Sequence, residues 1–382
     1  MTSPASSPPP GWLGARTTPT QWFALLVLSA ALTALLTLAG LPAALLLGPL
    51  LAGVAVSASG ARLGLPRWTS LPVQGVIGCL IAKMLPVGIA GQIGSHAVLF
   101  AVGVVSVIAL SSLLGWLLTR LRVLPGTTAL WGMSPGAATI MTLLAESYGA
   151  DARMVAVMQY LRVLMVAAIA SVVARFVGAD GHHALQQAPW FAAVPALPFA
   201  LTLVLAFGGA FVGRLLRVSV GPLFVPLVAG LVLEHHGWLT LELPRWLLAV
   251  AYALIGWRIG LSFTRALLLH AARALPRIVA CTTGLILACC ALAALLVVAA
   301  GVDPLTAYLA TSPGGADSVA IIAASTHVDV PFVMAMQMVR LIAVLLIGPA
   351  VSRFLARHAM RREKSGAAAR ADSPHASSTP GD

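Results

Sequence analysis

SPGAATIMTLLAESYGADARMVAVMQYLR, Ser134 to Arg162, returns without a gap as SPGGADSVAIIAASTHVDVPFVMAMQMVR, Ser312 to Arg340, with 11 identities in 29 positions. A chain that repeats itself 178 residues on is a tandem duplication. The copying extends beyond this block: Pro49-Leu50 with Ala52-Gly53 matches Pro226-Leu227 with Ala229-Gly230, and Ile77-Gly78 matches Ile255-Gly256. Each copy sets a Pro-Gly step and an arginine inside apolar sequence, which points to a duplicated membrane protein of the transporter type.

Composition places the chain in lipid. Of 382 residues, 59% are hydrophobic and 9% charged, with a mean hydropathy of +0.97, outside the range of soluble domains. Apolar runs occupy 22–39, 41–58, 71–90, 97–119, 127–147, 153–177, 190–213, 220–234, 246–265, 275–300, 304–326 and 331–355. Most of them can cross a hydrocarbon core of ~30 Å as a helix, so the expected fold is an all-α polytopic membrane protein with about 10–12 transmembrane segments. The domain reading is a disordered tail at 1–20, repeat 1 at 21–178, a linker at 179–189, repeat 2 at 190–357 and a second disordered tail at 358–382. The leader before the first run carries only Arg16, which favours a retained helix over a cleaved signal peptide. The net charge of +12 comes from short loops and the C-terminal tail, with no basic stripe on a DNA-binding motif, so nucleic acid is not an expected partner.

Loop arginines discriminate between the two ways of relating the halves. If every segment crossed, the halves would be parallel. From a cytoplasmic N-terminus Arg62, Arg67, Arg120 and Arg122 would then lie inside, but Arg214, Arg217, Arg265, Arg273 and Arg277 outside. If the Ser-Pro-Gly segment of each half enters and leaves on one face, all of these fall inside together with Arg353 and Arg357. Asp180, Glu234, Glu242 and Asp303 then face outward. The result is two inverted repeats with discontinuous Pro-Gly helices crossing at the midplane, and both termini cytoplasmic.

The candidate site follows from this arrangement. Proline lacks an amide proton and glycine tolerates unusual backbone angles, so Ser134-Pro135-Gly136 and Ser312-Pro313-Gly314 should interrupt their helices and free backbone groups at membrane depth. A new helix beginning at Pro135 or Pro313, with Ser134 or Ser312 as N-cap, would offer free amides to an anion. Arg162 and Arg340 lie near mid-membrane, where an unpaired charge costs at least ~2.5–3.5 kcal/mol. Gln159 and Gln337, three residues earlier, share their helix faces. Either the guanidinium groups cap freed carbonyls, or they draw a carboxylate or other anion to the midplane. Asp317 stands where the first copy has Thr139, and could serve as an H+ or Na+ coupling site or neutralise one of the arginines. Glu146, Asp151 and Asp329 fall at segment ends, where solvated or capping roles fit; Lys83 can snorkel to the interface, and Gly209 with Gly213 suggests close helix packing. Cys79, Cys281, Cys289 and Cys290 have no metal or disulfide spacing, and the pairs His182-His183 and His235-His236 read as loop histidines, so no metal and no cofactor are expected.

These blocks, with PLLAG and PLVAG, resemble the bacterial AbrB family of duplicated inner-membrane proteins over nearly the whole chain except its tails. Members of that family have been labelled ammonia monooxygenases or transition-state regulators. In general pattern the family is similar to the cation/proton antiporter and bile-acid transporter group, whose inverted repeats each contribute a discontinuous helix to a midplane crossing. By that analogy the two Ser-Pro-Gly breaks form the crossing and the arginines lie on the helices after it; the antiporter pattern of adjacent acidic residues on a core helix is absent. Three function classes are weighed. The first is a secondary transporter moving a small, anionic solute by alternating access across the bacterial inner membrane. The second is a membrane protein acting indirectly on regulation of gene expression, and the third a membrane-embedded enzyme. No constellation of an oxygenase or intramembrane protease is present in the sequence, so a non-enzyme is expected. The lipid bilayer and the solute are the expected partners, and a homodimer through the scaffold helices follows from analogy with inverted-repeat transporters.

Overall fold

In lipid, backbone amides and carbonyls must find partners within the protein, and helices do this locally. Every described regular element is accordingly helical, including one 3-10 turn at Arg67–Thr69. The structure, a computed structural model, describes residues 12–39, 41, 43–85, 97–121, 124, 127–134, 145–146, 150–176, 190–191, 193–216, 221–314 and 316–344; for 67, 174–176, 316 and 317 it describes the backbone alone. Pro135, Gly136, His182, His183, the linker 179–189 and the tail 358–382 lie outside these residues.

The helices are α1 (Thr18–Leu38), α2 (Ala44–Ala58), α3 (Ser70–Met84), α4 (Ala97–Arg120), α5 (Thr128–Met133) and α6 (Ala152–Phe176). They are followed by α7 (Ala196–Leu215), α8 (Gly221–His235), α9 (Arg245–Gly260), α10 (Arg265–Ala271), α11 (Leu275–Ala300), α12 (Pro304–Thr311), α13 (Ala316–Ala324) and α14 (Val330–Val344). α1 and α7 begin 178 residues apart, as do α4 and α11. Among the described residues, α1, α4, α6, α7 and α11 are long and apolar enough to cross a bilayer, and a sixth span results if α9 and α10, bent by 49° between them, count as one. The chain is a multi-pass membrane protein.

Three differences from the sequence reading have local causes. α7 starts at Ala196, later than residue 190, because Pro195, its N-cap, disfavours helical angles at the residue before it. α10 was not expected as a helix; the Thr264 hydroxyl caps it by accepting from the Leu267 amide. The packed chain also begins before residue 20: the Leu13 amide donates to the Ser59 carbonyl, and Leu13 is buried.

Two helix groups emerge. In one, α9 of the second half packs on the α1–α2 hairpin of the first, while α3 of the first half packs on the α7–α8 hairpin of the second. The exchange is reciprocal to the residue. A methyl group on Gly78 would stand 2.5 Å from the Leu223 carbonyl oxygen, and one on Gly256 would stand 2.7 Å from that of Leu46, its counterpart. Gly213 likewise meets the Gly221 backbone, so the Gly209-Gly213 pair does serve close packing of α7 on α8. The second group gathers α4, α5, α6, α11, α12 and α13.

Hydrogen bonds fix which helix ends lie level. Gln21 near the start of α1 donates to the Leu13 carbonyl and accepts from the Arg62 amide, and Ser57 at the end of α2 donates to the Leu261 carbonyl just past α9. At the opposite end of α3, Lys83 reaches the Leu241 carbonyl at 2.7 Å, and the neighbouring Glu242 amide donates to Thr202 in the first turns of α7. The start of α1 is therefore level with the end of α9, and the start of α7 with the end of α3.

Substitutions test this close approach. Gly78→Ala and Gly256→Ala should each cost ~1–3 kcal/mol through overpacking against backbone. Gly284→Ala, with open space around it, should be neutral or stabilise by up to about 1 kcal/mol. Thermal unfolding of the purified variants checks this, and equal tolerance at all three positions would refute the contact.

Candidate functional site

Two helices stop at the repeated motif. α5 ends at Met133 and α12 at Thr311, and the following serines take nearly the same extended angles, φ −58° and ψ 126° at Ser134 against φ −57° and ψ 137° at Ser312. Both serine amides still close the last turn, on the Leu130 and Tyr308 carbonyls. In the second half a new helix begins at Ala316, so α12 and α13 are separate helices with a break at 312–314. The expectation that Ser312 caps a helix starting at Pro313 is corrected here: its hydroxyl donates back to the Leu309 carbonyl at 3.1 Å and finishes α12. The counterpart at Pro135 lies outside the described residues.

A broken helix leaves carbonyls without amide partners, and an unsatisfied buried carbonyl costs ~1–3 kcal/mol. The glutamines and arginines of the repeated block supply the donors. Gln159 Nε2 donates to the Trp131 carbonyl at 3.2 Å and the Ser134 carbonyl at 3.0 Å, and Arg162 Nη1 also reaches Ser134 at 3.3 Å. In the second half Gln337 Nε2 donates to the Leu309 carbonyl at 2.7 Å, Arg340 Nη1 to the Ser312 carbonyl, and Nη2 to the Gly314 carbonyl at 2.7 Å. Within each pair the arginine also donates to the glutamine oxygen, at 2.6 Å in the Arg162–Gln159 case. The carbonyl-capping alternative of the sequence reading is thus realised for both arginines, which are 5% and 7% exposed.

Capping does not use everything. Arg162 Nε is buried with no hydrogen-bond partner among the described residues. Among the described side chains no carboxylate forms an ion pair with either arginine. The break of the second half also packs against the first half: a methyl group on Gly314 would stand 3.0 Å from Val166, one turn beyond Arg162 on α6. Asp317 belongs to the first turn of α13, next to the break, but its side chain is not described.

A second pair of equivalent contacts escaped the sequence reading. Thr128 accepts from the Asp151 amide at 3.2 Å, and Thr306 from the Asp329 amide at 3.1 Å. The signal was a Thr-Ala step that recurs six residues before each Ser-Pro-Gly. These bonds tie the start of α5 to the start of α6, and the start of α12 to the start of α14. Asp151 and Asp329 cap those long helices through the amides of Arg153 and Met154 and of Phe332. Asp151 also meets His270 of α10 at 2.7 Å. Partial burial pushes the Asp151 carboxyl up, but the His270 contact and the backbone amides outweigh it and hold it below the ordinary range. Glu146 and Lys83 are exposed, His236 stacks on Trp238, and among the described residues no group of three metal-ligating side chains occurs.

Known proteins are similar to this chain in sequence. The family described as "Transition state regulatory protein AbrB" matches residues 45–356, a span that contains both Ser-Pro-Gly motifs and all four glutamine and arginine residues. A protein of Escherichia coli (strain K12) named "Putative regulator AbrB" is 45% identical over 344 residues, 90% of this chain and 98% of its own length. "Uncharacterized protein YhjN" of Bacillus subtilis (strain 168) is 25% identical over 315 residues, 78% of this chain and 80% of its own. The chain belongs to the AbrB family of membrane proteins.

Proposed function

We propose that the chain is a secondary transporter, not an enzyme, that moves a small anionic solute across the bacterial inner membrane by alternating access. The observation that carries this reading is the pair of buried guanidinium groups at the two Ser-Pro-Gly helix ends, with the Arg162 Nε hydrogen unclaimed among the described residues. Two like charges held in apolar surroundings favour an anion that arrives between them, and a guanidinium binds carboxylate or phosphate oxygens bidentately. Asp317 is proposed as the coupling residue for H+ or Na+, or as a charge partner that the solute displaces.

The proposed architecture is two inverted repeats with ten crossings and two re-entrant segments. The Thr128–Asp151 and Thr306–Asp329 bonds support re-entry, since each broken segment begins level with the helix that leaves it. The level of α1's start with α9's end, and of α7's start with α3's end, supports inversion. The face bearing the start of α1 also carries Arg62, Arg258 and Arg265, so the positive-inside rule makes it cytoplasmic. A regulatory role is favoured only by the names of the family and of its relative in Escherichia coli; in this reading it would follow indirectly from solute movement or sensing.

The purified protein should be screened by thermal shift against carboxylate, phosphate, neutral and cationic metabolites. At least one anion is expected to raise Tm, because a ligand of the folded state alone stabilises it. That shift should vanish in Arg162→Gln, and the same anion should exchange across proteoliposomes. Stabilisation by neutral or cationic solutes alone, retained in Arg162→Gln, would overturn the reading. Capping makes a separate forecast: Arg340→Met, which strips the donors from the Ser312 and Gly314 carbonyls, should cost about 1–3 kcal/mol in unfolding.

A further inference from the structure

A cavity of about 720 Å³ opens between α1, α2 and α9, away from the helix breaks. Its size falls in the ~300–1,000 Å³ range of small-molecule sites. Arg245 and Trp190 stand at one end, the guanidinium lying 4.1 Å from the centroid of the indole ring. Tyr252, two turns along the same face of α9 and so about 10 Å further along it, also lines the cavity; it is only 4% exposed, and its buried hydroxyl has no hydrogen-bond partner among the described residues. Most of the remaining wall is alanine, leucine and the methyl-bearing threonines of α1, and Ser325 closes it just past α13.

The level of the Arg245 end is marked by aromatic residues. Trp190, Trp238 and Trp246 are all substantially exposed, and Trp246 meets Phe199 at the start of α7 edge-on. Tryptophans at one level of a membrane protein sit among lipid headgroups. A cation at headgroup depth leading into an apolar cleft, with the unpartnered Tyr252 hydroxyl beside it, matches an amphiphile: an anionic group outside, a polar linkage below it, and a hydrocarbon chain beyond. A free phosphate or a small carboxylate would leave the apolar length of the cavity unused.

We propose that this cavity binds one anionic glycerophospholipid, its phosphate against Arg245, an ester carbonyl accepting from the Tyr252 hydroxyl, and an acyl chain along α1 and α9. Through Ser325 the chain lies against the end of the broken helix α12–α13, so the lipid would bear on the element carrying Gly314.

The full-length protein, stripped of lipid in detergent, should be titrated with phosphatidylglycerol, phosphatidylcholine, oleate or inorganic phosphate and read by native mass spectrometry. One phosphatidylglycerol per chain is expected, held about tenfold more tightly than phosphatidylcholine. Arg245→Gln should abolish that preference, Tyr252→Phe should weaken binding of both lipids, and Ala253→Leu, which fills the cavity, should remove both. Gel filtration and circular dichroism identify any variant that fails to fold, and the remaining two then decide. Equal binding of the two lipids by wild type, a preference unchanged in Arg245→Gln, or binding of oleate or phosphate as tight as that of phosphatidylglycerol would overturn the proposal. So would a two-chain complex, formed without lipid, that Ala253→Leu dissociates, because a second copy would then cover the cavity.

Discussion

A helix broken inside a membrane leaves carbonyl oxygens that lipid cannot satisfy, and in this protein a glutamine and an arginine from a neighbouring helix take them. The arrangement is used twice, with the same donors and nearly the same carbonyls, 178 residues apart. Its cost is a pair of buried positive charges. Guanidinium suits the task better than ammonium because its donors fan out in a plane and can serve a glutamine oxygen and two carbonyls at once. A residue that must be charged to cap the break is also a residue that attracts anions, so the capping seen for Arg162 and Arg340 and the transport role proposed for them are not rivals.

The reciprocal exchange of α3 and α9 explains why the two halves cannot be treated as separate domains. Each supplies a helix to the other's hairpin, and glycines at Gly78 and Gly256 let the backbones touch. Without an apolar driving force between helices in lipid, such close backbone packing is a main source of association. In the proposed transport cycle that packing is the fixed frame, and α5, α6, α12 and α13 are the elements that move beside it. The lipid cavity of α1, α2 and α9 lies where frame and broken helix meet, at Ser325.

Much of this was legible in the sequence because membrane helices are written in long apolar runs and the duplication supplied an internal check. The extents of α4, α6 and α11 follow from hydropathy to within a residue or two, and the repeated QYLR and QMVR ends singled out the pairs that grip the breaks. What the sequence could not give is direction and partner. Nothing in the spacing said that Ser312 would finish α12 instead of starting a helix, since the motif Ser-Pro suits both. Thr128 and Thr306 were overlooked because a hydroxyl in an apolar helix ordinarily bonds its own preceding turn. The cavity at Tyr252 depends on three helices from both halves, and no local pattern marks it.

Inversion of the two halves is the premise that brings both breaks to a common depth, and sidedness measures it directly. Ser59 and His236 stand at equivalent positions, just past α2 and α8. In a background with Cys79, Cys281, Cys289 and Cys290 replaced by alanine, Ser59→Cys and His236→Cys should be treated with a membrane-impermeant maleimide in intact cells and again after permeabilisation. The account predicts that His236→Cys reacts in intact cells and Ser59→Cys only after permeabilisation. Reaction of both under the same condition would place equivalent ends on one face and contradict it.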